Sequence, residues 1–114
     1  MDAEEPERKV FSYEEALALM PEVRRLTEDA YRRVAAVDAS ATAGGPLPGP
    51  AREEVDAIVR GWAEALMRMG LEIKGLWLVD FDNGGGYYCW RYPEAALQFF
   101  HSYEDGFRGR VSIQ

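Results

Sequence analysis

The chain has 114 residues, 47% hydrophobic and 29% charged, which is the make-up of an ordinary globular domain long enough to bury a core without disulfide or metal staples. Its formal net charge of −7 repels phosphate backbones and anionic lipid surfaces, arguing against nucleic acid and membrane as partners. No apolar run approaches the roughly 20 residues that span a bilayer. The start, MDAEEPERK, is polar and acidic rather than a leader, and the single cysteine cannot close an internal disulfide, so a cytoplasmic location is expected.

Residues 1–10 form an acidic, proline-containing tail expected to be flexible. Ser12 opens a helix. Ser12-x-x-Glu15 is a capping box, Glu14 and Glu15 suit the positive end of the helix dipole, and Phe11 is placed to staple onto the first turn. Ala16, Met20, Val23, Ala30, Val34 and Val37 then recur at helical spacing, with Thr27 in the one gap and Leu19 and Leu26 widening the stripe. Arg24, Arg25, Glu28, Asp29, Arg32 and Arg33 lie mostly off it and are expected to face solvent. Pro21 removes a backbone hydrogen bond and crowds the Leu17 carbonyl, so the helix either bends there or divides in two. Residues 38–50, containing GGPLPGP, read as a flexible connector. A second helix is expected over Ala51–Met69, with Val55, Ile58, Val59, Trp62, Leu66 and Met69 on its apolar face and Gly70 ending it. Two amphipathic helices joined by a loop predict an antiparallel hairpin.

From Leu71 the pattern changes. Leu76–Phe81 is a short apolar run of strand formers, DNGGG is a turn signal, and Tyr87–Tyr92 answers as the second strand. Pro93-Glu94 makes another turn. Leu97–Tyr103 is expected as a third strand, with Leu97, Phe99 and His101 sharing one face. The tail EDGFRGR is turn-like. The fold class is therefore α+β: one domain over 1–114, with an N-terminal antiparallel helical hairpin followed by a small three-stranded antiparallel β-meander.

The stretch Cys89–Arg110 gathers the one cysteine, the one histidine, six of the fourteen aromatics and the arginines Arg91, Arg108 and Arg110. Several motifs fall in or near it: L-V-D-F (Leu78–Phe81), C-W-R (Cys89–Arg91), Glu94, aromatic-His at Phe100-His101, and D-G-F-x-G-R (Asp105–Arg110). Together with F-S-x-E-E-A (Phe11–Ala16) and the L-x-P-E-V segment around Pro21, they resemble the bacterial and archaeal proteins grouped as domain of unknown function 2203. The resemblance covers nearly the whole chain apart from the acidic tail and the Gly/Pro loop. Phe100 and Pro93 depart from it, standing where tryptophan and glycine are usual. The resemblance implies no particular activity.

Two constellations stand out. Cys89 and His101 are candidates for a nucleophilic dyad, or for a divalent metal site with Glu94 and Asp80. The dense spacings of strong metal motifs are missing, and a cysteine in an apolar strand is more often a small buried hydrophobe. Whether the two side chains meet depends on register, since a one-residue slip puts them on opposite faces. The second constellation is Arg91, Glu94, His101 and Arg110, with Trp90, Tyr92 and Phe100 as walls, suited to a small anionic ligand. Its bland alternative is a structural network in which Arg91 pairs with Glu94 and Arg110 with Asp105. DNGGG lacks the lysine and following helix of a phosphate loop. The first functional reading is a non-enzymatic protein that homodimerises through its helical stripes, with 89–110 as a structural or partner-binding surface and no cofactor. The second is a ligand- or metal-binding protein, or an enzyme, using the site in 89–110.

Overall fold

The computed structural model describes residues 9–40 and 45–113. Residues 1–8 of the acidic tail and 41–44 at the centre of the connector lie outside that range.

Helix α1 runs over Tyr13–Ser40 and α2 over Gly49–Arg68. The capping box forms as the sequence requires: Glu15 N–H donates to Ser12 Oγ at 3.0 Å, and Ser12 N–H donates to the Glu15 carboxylate at 2.9 Å. Pro21 neither splits the helix nor ends it. The connector is shorter than expected at both ends. Asp38, Ala39 and Ser40 contain no helix breaker and continue α1. Gly49 and Pro50 enter the first turn of α2, where a missing N–H costs nothing because those donors have no intrahelical partner. Thr27 meets Trp62 across the interface, while Val37 and Ser40 share a crevice with Glu54 and Ile58. That pairing is the antiparallel hairpin. Gly70, at φ 99°, turns the chain out of α2.

The sheet has five antiparallel strands in sequence order, not three. They are β1 Glu72–Gly75, β2 Leu78–Asp82, β3 Tyr87–Arg91, β4 Phe99–His101 and β5 Val111–Ser112. The two unexpected strands are the outer ones, four and two residues long, too short to show a period. Leu76 and Trp77, expected to start a strand, form the β1–β2 turn. Trp77 takes φ 62°, a left-handed conformation disfavoured for a bulky residue. Its indole packs against Trp62 at 4.9 Å and Tyr31 at 6.0 Å, which holds it there.

Each face of the sheet has its own chemistry. Val79, Phe81, Tyr88 and Trp90 face the helices and join the main core with Ala16, Met20, Val23, Ile58 and Leu66. Phe11 docks edge-on against Phe81 and Tyr13 packs against Tyr88. Leu97 also belongs to this core, whereas Phe99 and His101 pair with Cys89 and Tyr87 on the other side. The expected sharing of one face by these three residues therefore fails: Leu97 precedes the strand, and the chain reverses its facing before Phe99. The outer face carries Asp80 opposite Cys89 opposite Phe99, and Asp82 opposite Tyr87 opposite His101. A bare outer face would be wet, yet Asp80 and Asp82 in β2 are buried. The C-terminal segment leaves β4, makes a single 3-10 turn at Phe107–Gly109 and returns as β5 along β4, and it brings Tyr103 to Asp82 and Arg110 to Cys89 on this face.

Candidate metal centre

Strand register builds the site. The β2–β3 hairpin closes symmetrically around its glycine turn, with Asp82 Oδ1 accepting the Gly84 N–H at 2.9 Å and Asn83 N–H donating to the Gly86 carbonyl. That closure sets Asp80 directly across from Cys89. Strand β4 then brings His101 onto the same face. One ligand atom from each of Asp80, Cys89 and His101 lies within 4.8 Å of the other two, and all three residues are buried.

The hydrogen bonds of His101 do not balance. His101 Nδ1 is 2.8 Å from the Ser102 carbonyl, and His101 Nε2 is 2.9 Å from Asp80 Oδ2. Both ring nitrogens thus face acceptors, while a neutral imidazole carries only one N–H. One N–H can serve only one of the two contacts, so the ring is one donor short at this site. The other oxygen, Asp80 Oδ1, is buried without a hydrogen bond. The neighbouring Cys89 thiol is at best a weak donor to it.

Electrostatics follow from that burial. Desolvation pushes the Asp80 carboxyl above its usual range against the opposing pull of His101, Cys89 and Lys74. Desolvation, with the Asp80 charge beside it, pushes the Cys89 thiol up to about 12, and Arg110 only partly offsets this. A nucleophilic dyad needs the imidazole against the thiol. Here the histidine nitrogens are taken by Asp80 and the Ser102 carbonyl, and the thiol is held protonated. The arrangement does not arm Cys89 for attack.

The expected metal set of His101, Glu94 and Cys89 is changed in one member. Asp80 takes the place of Glu94, because the Glu94 carboxylate is committed elsewhere. Arg110 grips it with two bonds of 3.1 and 2.8 Å. Glu94 Oε1 also accepts the Arg91 backbone N–H at 2.9 Å. The Glu94 carbonyl accepts Trp90 Nε1 at 3.0 Å and Arg24 Nη1 at 3.2 Å, while Arg24 Nη2 reaches the Ala95 carbonyl at 2.6 Å. Arg24 comes from α1, and the sequence pattern had placed it on the solvent face. Nothing local in the sequence marks it as the clamp on the 93–96 turn.

Of the anion-site residues, Arg91, Glu94 and Arg110 lie together, with both guanidinium groups against Phe107. Trp90 points into the helix-side core. His101 belongs to the metal group, and Arg110 pairs with Glu94 rather than with Asp105. Arg91 gives Glu94 its backbone N–H, not its guanidinium. That guanidinium lies 5.6 Å from the Phe107 ring and lines an open pocket of about 350 Å³ with Leu76 and Leu78.

Among the described residues no helix is long and apolar enough to cross a membrane. No curated protein and no solved structure matches the chain. One family model does match, over residues 9–113, which is nearly all of it. The motifs that build the buried Asp80–Cys89–His101 group all lie inside that span, and the chain belongs to the family described as uncharacterized conserved protein DUF2203.

Proposed function

We propose that this chain binds one divalent transition-metal ion through Asp80, Cys89 and His101. The observation that carries the reading is the convergence of three buried donors within 4.8 Å, with two imidazole nitrogens facing acceptors and a buried carboxylate oxygen whose one further neighbour is the weakly donating Cys89 thiol. A metal ion in place of the shared proton satisfies Nε2, the carboxylate and the sulfur together. It also displaces the thiol proton, as binding to cysteine requires. Metal bonds of about 2.0–2.3 Å require the donors, now within 4.8 Å, to shift slightly, with Nε2 and Oδ2 opening from their 2.9 Å contact. One sulfur, one nitrogen and one oxygen donor suit zinc, cobalt or ferrous iron and not the hard ions magnesium and calcium. The reading assigns no reaction, and it fits a compartment that keeps the thiol reduced.

The test is a titration of chelator-washed protein with Co²⁺, followed by native mass spectrometry. One ion per chain and a sulfur-to-cobalt charge-transfer band are expected, both lost in Cys89→Ser and His101→Ala variants that keep their circular dichroism. A well-folded wild type that takes up no Co²⁺ overturns the reading.

Self-association through the helices is a second reading, supported by one feature. A groove of about 390 Å³ lies between α1 and α2, lined partly by Leu26, Ala30, Ile58 and Trp62. Light scattering that shows only monomer at high concentration would remove it.

A further inference from the structure

Arg110 is held more firmly than an ion pair alone requires. Its guanidinium grips Glu94 with two bonds and lies 4.0 Å from the Phe99 ring and 4.1 Å from the Phe107 ring. Phe99 is the cross-strand neighbour of Cys89. So held, Arg110 presents Nη1 to Cys89 Sγ at 3.9 Å. The backbone is fixed as well, because the next residue, Val111, pairs with Phe100. The Glu94 pair by itself explains neither the two rings nor the shared Nη1.

A metal-bound thiolate keeps much of its negative charge on sulfur. An N–H aimed at that sulfur from outside the coordination shell stabilises its negative charge against protonation and fixes its rotamer. A guanidinium is suited to this because it stays charged and has five N–H groups, enough to serve Glu94 and the sulfur together.

Resting on the metal reading above, we infer that Arg110 is the positioning residue of the metal centre: its Nη1–H stabilises and orients the Cys89 sulfur as a thiolate ligand. Glu94, Phe99 and Phe107 hold the guanidinium in place.

Glu94→Gln weakens the hold on Arg110. It breaks the ion pair but keeps the Glu94 backbone carbonyl for Trp90 and Arg24, and it leaves Arg110 between its rings. The experiment is a Co²⁺ titration of wild type, Arg110→Met, Arg110→Lys and Glu94→Gln, read as affinity and as the position of the sulfur-to-cobalt band. Arg110→Met is expected to lose about 10- to 100-fold in affinity, the usual cost of removing an outer-shell partner, with the band moved to lower energy. Arg110→Lys restores part of both, and Glu94→Gln, which loosens the guanidinium without removing it, falls between wild type and Arg110→Met. Arg110→Met with wild-type affinity and an unmoved band overturns the inference. Should Arg110→Met fail to fold, Arg110→Lys decides: an affinity and band identical to wild type overturn it. A folded wild type with no cobalt band overturns the metal reading itself, and this inference with it.

Discussion

Asp80→Asn distinguishes a metal centre from an ordinary buried ion pair, because the two assign it opposite signs. In metal-free protein Asp80 is fully buried and its Oδ1 has no hydrogen bond. Leaving a buried acceptor unmade costs about 1–3 kcal/mol, and more when it is charged. The amide of Asp80→Asn donates to His101 Nε2 across the same 2.9 Å contact, and Nδ1 keeps its bond to the Ser102 carbonyl. Each ring nitrogen then has a complementary partner with a single N–H on the ring. The variant should therefore be about 1 kcal/mol more stable than wild type in chelator, recovering part of that cost. With metal at a hundred times its Kd, wild type gains about 2.7 kcal/mol and the variant gains nothing. Urea unfolding at pH 8, followed by tryptophan fluorescence with chelator and with Zn²⁺, measures both differences. A structural ion pair behaves otherwise, its rupture costing about 3–5 kcal/mol. A loss above about 2 kcal/mol in chelator, with no metal increment in wild type, refutes the reasoning.

Other perturbations test the surroundings of the site. The Cys89 thiol, pushed up to about 12 from an ordinary 9.0, favours the folded state only while protonated. Its contribution is complete below pH 9 and is lost as pH rises toward 12. Metal-free wild type should thus lose about 1.5 kcal/mol relative to Cys89→Ala between about pH 9 and pH 10.5, and parallel urea curves for the two proteins would contradict this. Thr27→Val removes the acceptor of Trp62 Nε1, a 2.8 Å bond inside the core; a loss of about 2 kcal/mol is expected, and a loss under about 0.5 kcal/mol would mean that the indole finds another partner. Gly86→Ala places a Cβ 2.6 Å from the His101 carbonyl and 2.8 Å from the Phe100 ring. The strand holding His101 must then shift, with a fall in Tm on the order of 10 °C and weaker Co²⁺ binding; a wild-type melting curve would count against the packing described.

Much of the fold was legible because it is local. The period of Ala16, Met20, Val23 and Ala30 records a buried helix face, and Ser12 with Glu15 records where that helix begins. The pairing of Asp80 with Cys89 is also implicit in the chain, since a hairpin closing on Gly84-Gly85 sets those two residues opposite each other. The metal group was half visible for that reason. Cys89 and His101 stood out as rare residues, and Asp80 was considered among their partners. The partner of Glu94, Arg110, lies 16 positions along the chain, and no spacing rule joins a turn to a returning tail.

The sequence by itself thus determined two amphipathic helices, a central hairpin and a cluster of costly side chains near the C-terminus, because side-chain period and turn chemistry act over a few residues. The tertiary structure decided the outer strands, the clamp of Arg24 on the 93–96 turn, and the burial of an acid, a thiol and an imidazole on the sheet face away from the helices. Strands of four and two residues are fixed by ladder hydrogen bonds, not by propensity. On that outer face the tail folds back and brings Tyr103 to Asp82 and Arg110 to Cys89. Burial there is what leaves Asp80 with His101 and the Cys89 thiol as its near neighbours in place of water.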